Sequence, residues 1–227
     1  IVFWIIIYKK EKIKWVWVSI HNIKKRFIEN FQFFISSIAG HVSIHGGLII
    51  LASFVNNTVL GEFALAQKTA LLMRMVPVFF TQAVLQKATI LFKKDKAEFK
   101  SYINQIFIIG LSITFGMGLT VIILSKWIIF LFAGSHVIYS ETILKILAFI
   151  PFLSMLNFNN MVKILVDEKK YLLSRATWIT AIIMLILAII GSYYYGGYGL
   201  SIALVLTEIM SFIVYSKLLK KNKHERT

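Results

Sequence analysis

Gln67, Arg74 and Thr81 recur every seven residues inside the mostly apolar stretch 63–92, with Ala70 and Pro77 beside them. A step of seven stays on nearly the same face of a helix. The three residues therefore form a narrow polar stripe with small neighbours, as suits a wall facing water or a polar ligand. A charge at mid-bilayer costs from about 3 to over 10 kcal/mol by different measures, so it faces a cavity or a partner. Arg74 sits near the middle of the stretch and has two readings: it lines such a cavity, or it neutralises a buried Glu. Lys68 lies about two turns from one end and points to a different side. Like Lys87, Lys145 and Lys163, it can snorkel toward the interface.

Ser37, His41 and His45 step by four and share a helix face. A His pair at this spacing is compatible with zinc, but the Glu of HExxH is missing and no third ligand is evident, so no metal is expected. The pair suits hydrogen-bonded packing, a polar cavity wall, or a protonatable site. Glu208 is the only acid deep in a late apolar stretch, and either pairs with a cation on another helix or carries a proton. His41, His45 and Glu208 are thus the candidates for ion coupling. Asn157, Asn159 and Asn160 offer amides that suit sugar hydroxyls, or that bond one helix to another. No Gly-rich phosphate loop, no GxSxG and no pair of carboxylates on one face is present. No cofactor is expected.

The elements that hold these residues follow from composition. The 227 residues are 58% hydrophobic and 15% charged, and the apolar residues cluster in long runs. Soluble domains are nearer 45–50% apolar and about 25% charged. The pattern predicts an all-α integral membrane protein with six spans, roughly 31–55, 63–92, 103–125, 142–166, 177–194 and 200–219. Each is close to or above the ~20 residues needed to cross a hydrocarbon core. The second is longer, and Pro77 is a candidate kink within it. Two prolines and no cysteines occur, so the runs can be helical and disulfides are excluded. The opening residues 1–8 are too few to span, and are read as the remnant of a truncated transmembrane helix. On that reading the chain is a C-terminal fragment. Residues 9–30 form a basic link, residues 31–219 the six-helix lobe, and residues 220–227 a basic tail.

The net charge of +15 is divided among four places: the link before the first span, residues 93–100, residues 169–175 and the tail. The alternate links carry only Lys126. This alternation fits the positive-inside rule and puts both ends in the cytoplasm. Basic charge split this way, with no aromatic-studded patch, does not suit nucleic acid. Tyr193, Tyr194, Tyr195 and Tyr198 cluster at the opposite boundary, and Trp15–Val18 rests between basic clusters, both as expected of interfacial anchors.

Three stretches, taken in order, carry a resemblance. The segment "VLGEFALAQKTALLM" resembles the outer loop and following helix of oligosaccharide flippases. "WIIFLFAGSHVIYSETILKILAF" and "YYYGGYGLSIALVLTEIMSFIVYSKLLKK" are similar to later parts of the same proteins. Together they run from about Asn56 to Lys221. The family is the polysaccharide-biosynthesis branch of the multidrug/oligosaccharidyl-lipid/polysaccharide exporter superfamily. The resemblance implies one lobe of a two-lobe carrier with a central cavity, partnered by a missing N-terminal lobe. It implies passage of undecaprenyl-pyrophosphate-linked oligosaccharide units across the bacterial inner membrane by alternating access. On that reading Arg74 is part of a cationic wall for the anionic headgroup, with Gln67, Thr81, Asn157 and Asn160 as further substrate contacts, and Lys68 guards the outer mouth. Multidrug export within the superfamily, and a membrane sugar polymerase or glycosyltransferase, are the alternatives.

Overall fold

A computed structural model describes residues 19–224, and every regular element among them is an α-helix. The expectations for residues 1–18, and for the last three residues of the tail, lie outside the described residues. The chain divides into two compact units, Ile1–Phe31 and Gln32–Thr227. In the first, the described chain from Ile20 is helical, so residues 20–30 of the expected link are helix. The second holds the bundle and everything below.

The helices are α1 (Ile20–Ala52), α2 (Asn57–Lys94), α3 (Lys96–Ala133), α4 (Ile138–Leu147), α5 (Ile150–Leu156), α6 (Phe158–Val166) and α7 (Lys170–His224). Among the described residues, five helical segments are long and apolar enough to cross a membrane: Phe34–Ala52, Asn57–Lys94, Lys96–Ala133, Ile138–Leu156 and Lys170–Lys221. Large apolar side chains lie open on them, among them Leu72, Ile108, Ile123, Leu131 and Ile138, each more than 60% exposed. Such a belt would aggregate in water and is what lipid contact requires. The protein is a helical membrane protein.

α2 and α3 are longer than the apolar runs alone indicate. Helix α2 starts at its cap Asn56, whose Oδ1 accepts from the Val59 N–H at 2.9 Å. It runs unbroken through Pro77 and ends with Lys93 and Lys94 in its last turn, where cations favour the helix dipole. Asp95 closes α2 through its own N–H to the Leu91 carbonyl. The same residue opens α3, its Oδ1 accepting from Ala97 and Glu98 at 2.7 and 3.2 Å. Gly134, in the left-handed conformation at φ 70°, stops α3. The expected link 93–102, apart from Asp95, and residues 126–133 of the expected link 126–141 are therefore helical. Their charges sit where they cost little, and the caps satisfy the end groups. Gly110, Thr114 and Gly118 make a small-residue stripe on the buried face of α3. A Cβ on Gly118 would lie 3.1 Å from the Ala148 carbonyl oxygen, and one on Gly110 would collide with Met155. Small residues at this spacing let helices approach closely without a hydrophobic driving force.

The expected single span 142–166 is instead three short helices, α4 to α6. Pro151 stands in the first turn of α5. It has no N–H for the Leu147 carbonyl, and its ring crowds that position, which favours a break between α4 and α5 here. A second break falls at Asn157.

α7 doubles back on itself. Gly196 adopts φ 55°, ψ −133°, a conformation open to glycine and costly for other residues. Beyond it the two arms touch backbone to backbone. A Cβ on Gly191 would lie 2.5 Å from the Gly199 carbonyl oxygen, and one on Gly199 would overlap Gly191. Thr177 and Tyr215, 38 residues apart, share a 3.0 Å hydrogen bond further along the arms. The Tyr139 hydroxyl accepts from the Gly197 N–H at 3.1 Å, tying α4 to the tip. Phe63, Ile129, Leu144, Leu147, Met184 and Leu200 are fully buried at the centre of the bundle. A second cluster holds α2, α3, α5 and α6 together through Ala88, Ile103, Met155 and Val162.

Candidate functional site

A cavity of about 420 Å³ opens among α1, α2, α4 to α6 and both arms of α7. Gln67, Ala70, Arg74, Pro77 and Thr81 all line it, so the seven-residue stripe is the wall that α2 contributes. Gln67 is buried, and its Nε2 donates to the Ile44 carbonyl of α1 at 3.1 Å. The Thr81 hydroxyl turns back to the Pro77 carbonyl at 3.0 Å, which leaves its oxygen free to accept.

Arg74 meets Glu208 from the second arm of α7, with Nη2 2.5 Å from Oε1. The Arg74 side chain is 29% exposed and that of Glu208 only 8%. The carboxylate is the desolvated member, and the guanidinium keeps a free face on the cavity. A single nitrogen of Arg74 carries the contact, out of five N–H donors in the fork. Of the two readings of Glu208, pairing with a cation on another helix is what the geometry holds. Among the described residues no other charged side chain lines the cavity, so the formal charges of this wall cancel. Of the two readings of Arg74, lining a cavity and neutralising a buried Glu, the structure holds both at once.

Asn157 lines the same cavity from the break between α5 and α6. Its Nδ2 donates to the Ser211 hydroxyl at 3.1 Å, while Oδ1 is buried without a partner. Ser43 Oγ, on the α1 wall, is likewise buried and unpartnered. Both atoms have almost no accessible surface, so they are buried polar groups left without a partner in the wall and are not donors or acceptors presented to the cavity.

The other candidates lie elsewhere. Lys68 is exposed and does not line the cavity. Asn160 does not line it either, and donates to the Ser216 hydroxyl at 3.0 Å, joining α6 to α7. His41 and His45 are exposed, their ring centres 6.2 Å apart, and His41 Nδ1 donates to the Ser37 carbonyl at 2.8 Å. Ser37 reaches the cavity, and the two histidines do not. Among the described residues no three His, Cys, Asp or Glu side chains gather as a metal ion would need.

Several lining residues were not singled out from the sequence. Leu204, Ser211 and Tyr215 are such residues; with Glu208, which the sequence did single out, they step by four, three and four along the second arm of α7, and all line the cavity. The same periodicity that exposes the α2 stripe marks this second one. Thr177 and Thr180 on the first arm complete the opposite wall. Comparison with family models, curated proteins and solved structures finds no match.

Proposed function

We propose that the protein is a lobe of a bacterial inner-membrane carrier that moves undecaprenyl-pyrophosphate-linked oligosaccharide units across the bilayer by alternating access. On this reading it is a transporter and not an enzyme, works without a cofactor, and has both described ends in the cytoplasm. Each arm of α7 counts as one crossing, which makes six.

The observation that carries the reading is the Arg74 guanidinium, held mid-helix with a free face on a cavity whose largely apolar wall also carries amides and hydroxyls. A lipid-linked pyrophosphate sugar presents an anion followed by many hydroxyls, and both kinds of group must avoid hydrocarbon during transit. The ordered resemblance from Asn56 to Lys221 points the same way. The test is translocation of a fluorescent lipid-linked pyrophosphate oligosaccharide in vesicles containing the full-length protein. We expect transfer above protein-free vesicles, and a loss of at least tenfold in rate for Arg74→Ala. Wild-type transfer in that variant would remove Arg74 from the mechanism.

Multidrug export within the same superfamily draws on a different observation: Glu208, an acid, also lines the cavity. Resistance to cationic drugs conferred by the full-length gene, and lost in Glu208→Gln, would favour it.

A further inference from the structure

We propose that the Arg74–Glu208 pair is an exchange site, at which an anionic group takes the guanidinium and Glu208 takes a proton in the same event. This deepens the reading above and rests on it for the ligand's charge.

The argument is one of charge. As the cavity stands, one guanidinium faces one carboxylate and the sum is zero. An anion that draws the Arg74 guanidinium away from Glu208 leaves the wall with an excess negative charge and strands a carboxylate that is more than nine-tenths buried. An unpaired charge in such a place costs several kcal/mol, and like charges at close range add to that. Something must neutralise Glu208. The groups that could relieve it are few. From α2 there is only Arg74, now engaged by the ligand. From its own arm there is Tyr215, a neutral phenol hydrogen-bonded to Thr177. Helices α1 and α4 to α6 and the first arm of α7 offer no charged or titratable side chain to the cavity. No lysine stands by to replace Arg74, since Lys68 is outside. A proton on Glu208 restores the balance with no rearrangement of the backbone. The two events are then linked: each anion bound brings one proton in, and each anion released lets one go.

The Thr81 hydroxyl, on the cavity wall with its oxygen still able to accept, completes the site's chemistry. It suits a ligand whose anionic group is accompanied by a hydroxyl. Isethionate, 2-hydroxyethanesulfonate, has both groups and keeps a fixed single charge from pH 5 to 9, so any proton uptake belongs to the protein.

The experiment is calorimetric titration of isethionate into the full chain in detergent, in two buffers of different protonation enthalpy, across pH 5.5–8.5. We expect uptake approaching one proton per anion, with affinity falling about tenfold for each pH unit over which a whole proton is taken up. Glu208→Gln should bind without uptake and without pH dependence. Arg74→Gln should not bind. The pair Arg74→Gln/Glu208→Gln, neutral on both sides, should keep the fold and also fail to bind, which separates loss of the site from loss of structure. Wild-type binding with no proton uptake, uptake persisting in Glu208→Gln, or a sodium requirement in place of the proton would each overturn the exchange alone. Failure of the wild type to bind at any pH would overturn both the exchange and the anionic reading of the cavity.

Discussion

Breaking the Arg74–Glu208 contact from either side should give unequal losses. Replacing Arg74 with Met strands a carboxylate that is 8% exposed, whereas replacing Glu208 with Gln strands a guanidinium that is 29% exposed and already faces a cavity able to hold water. Removing one partner of a buried pair costs about 3–5 kcal/mol. The upper part of that range belongs to Arg74→Met. Glu208→Gln retains an amide acceptor and a partly solvated cation, and should cost about 1–2 kcal/mol, nearer a single charged hydrogen bond. The double variant Arg74→Met/Glu208→Gln should cost less than Arg74→Met alone, because no charge is left buried. A double-mutant cycle read by denaturant titration in mixed micelles measures this directly. The expected coupling is about 2 kcal/mol, well above the ~0.5 kcal/mol within which independent sites add. Equal single losses that sum in the double variant would refute the reasoning, since the pair would then be two separate surface-like groups.

Three further outcomes are expected. Gly199→Val should prevent the two arms of α7 from closing, since even a Cβ there overlaps Gly191, and the variant should be lost to proteolysis in membranes while Ser201→Ala survives. Asp95→Ala should cost about 1–2 kcal/mol through two lost cap bonds and speed amide exchange at Ala97 and Glu98, leaving exchange at Val59 unchanged. Reporter fusions after Lys100 and Lys170 should read cytoplasmic and one at Gly197 external; a cytoplasmic reading at Gly197 would mean that the α7 tip never crosses.

The stripe Gln67, Arg74, Thr81 was legible because a seven-residue step depends on one helix alone. So was the turn at Gly196, flagged by the run of tyrosines and glycines between two apolar stretches. What joins helices was not legible. Arg74 and Glu208 are 134 positions apart, and only the packing of α2 against the folded-back arm makes them neighbours. His41 and His45 show the converse. Their four-residue spacing correctly placed them on one face, but nothing local says which face a helix turns inward, and Ser36 and Ser43 rather than the histidines look into the cavity. The break in the span 142–166 was readable in principle from Pro151, yet apolar composition across it gave no hint that the segment divides. Helix ends ran past their apolar runs because Asn56, Asp95 and Gly134, not hydrophobicity, decide where those helices stop.

The single residue between α2 and α3 has a consequence for how this chain can change. Links on the aqueous side of a membrane protein usually absorb insertions without effect. Asp95 leaves no such slack, because it terminates one helix with its N–H and starts the next with its carboxylate. A helix advances about 100° per residue. One added residue taken up helically would swing the whole of α3 by that angle, carrying Gly110, Thr114 and Gly118 off their packing seam and putting the exposed Ile109 and Ile113 in the places of Gly110 and Thr114. Asp95 therefore acts as a phase pin: it fixes the rotational setting of a 38-residue helix from a point well outside the hydrocarbon that the helix crosses.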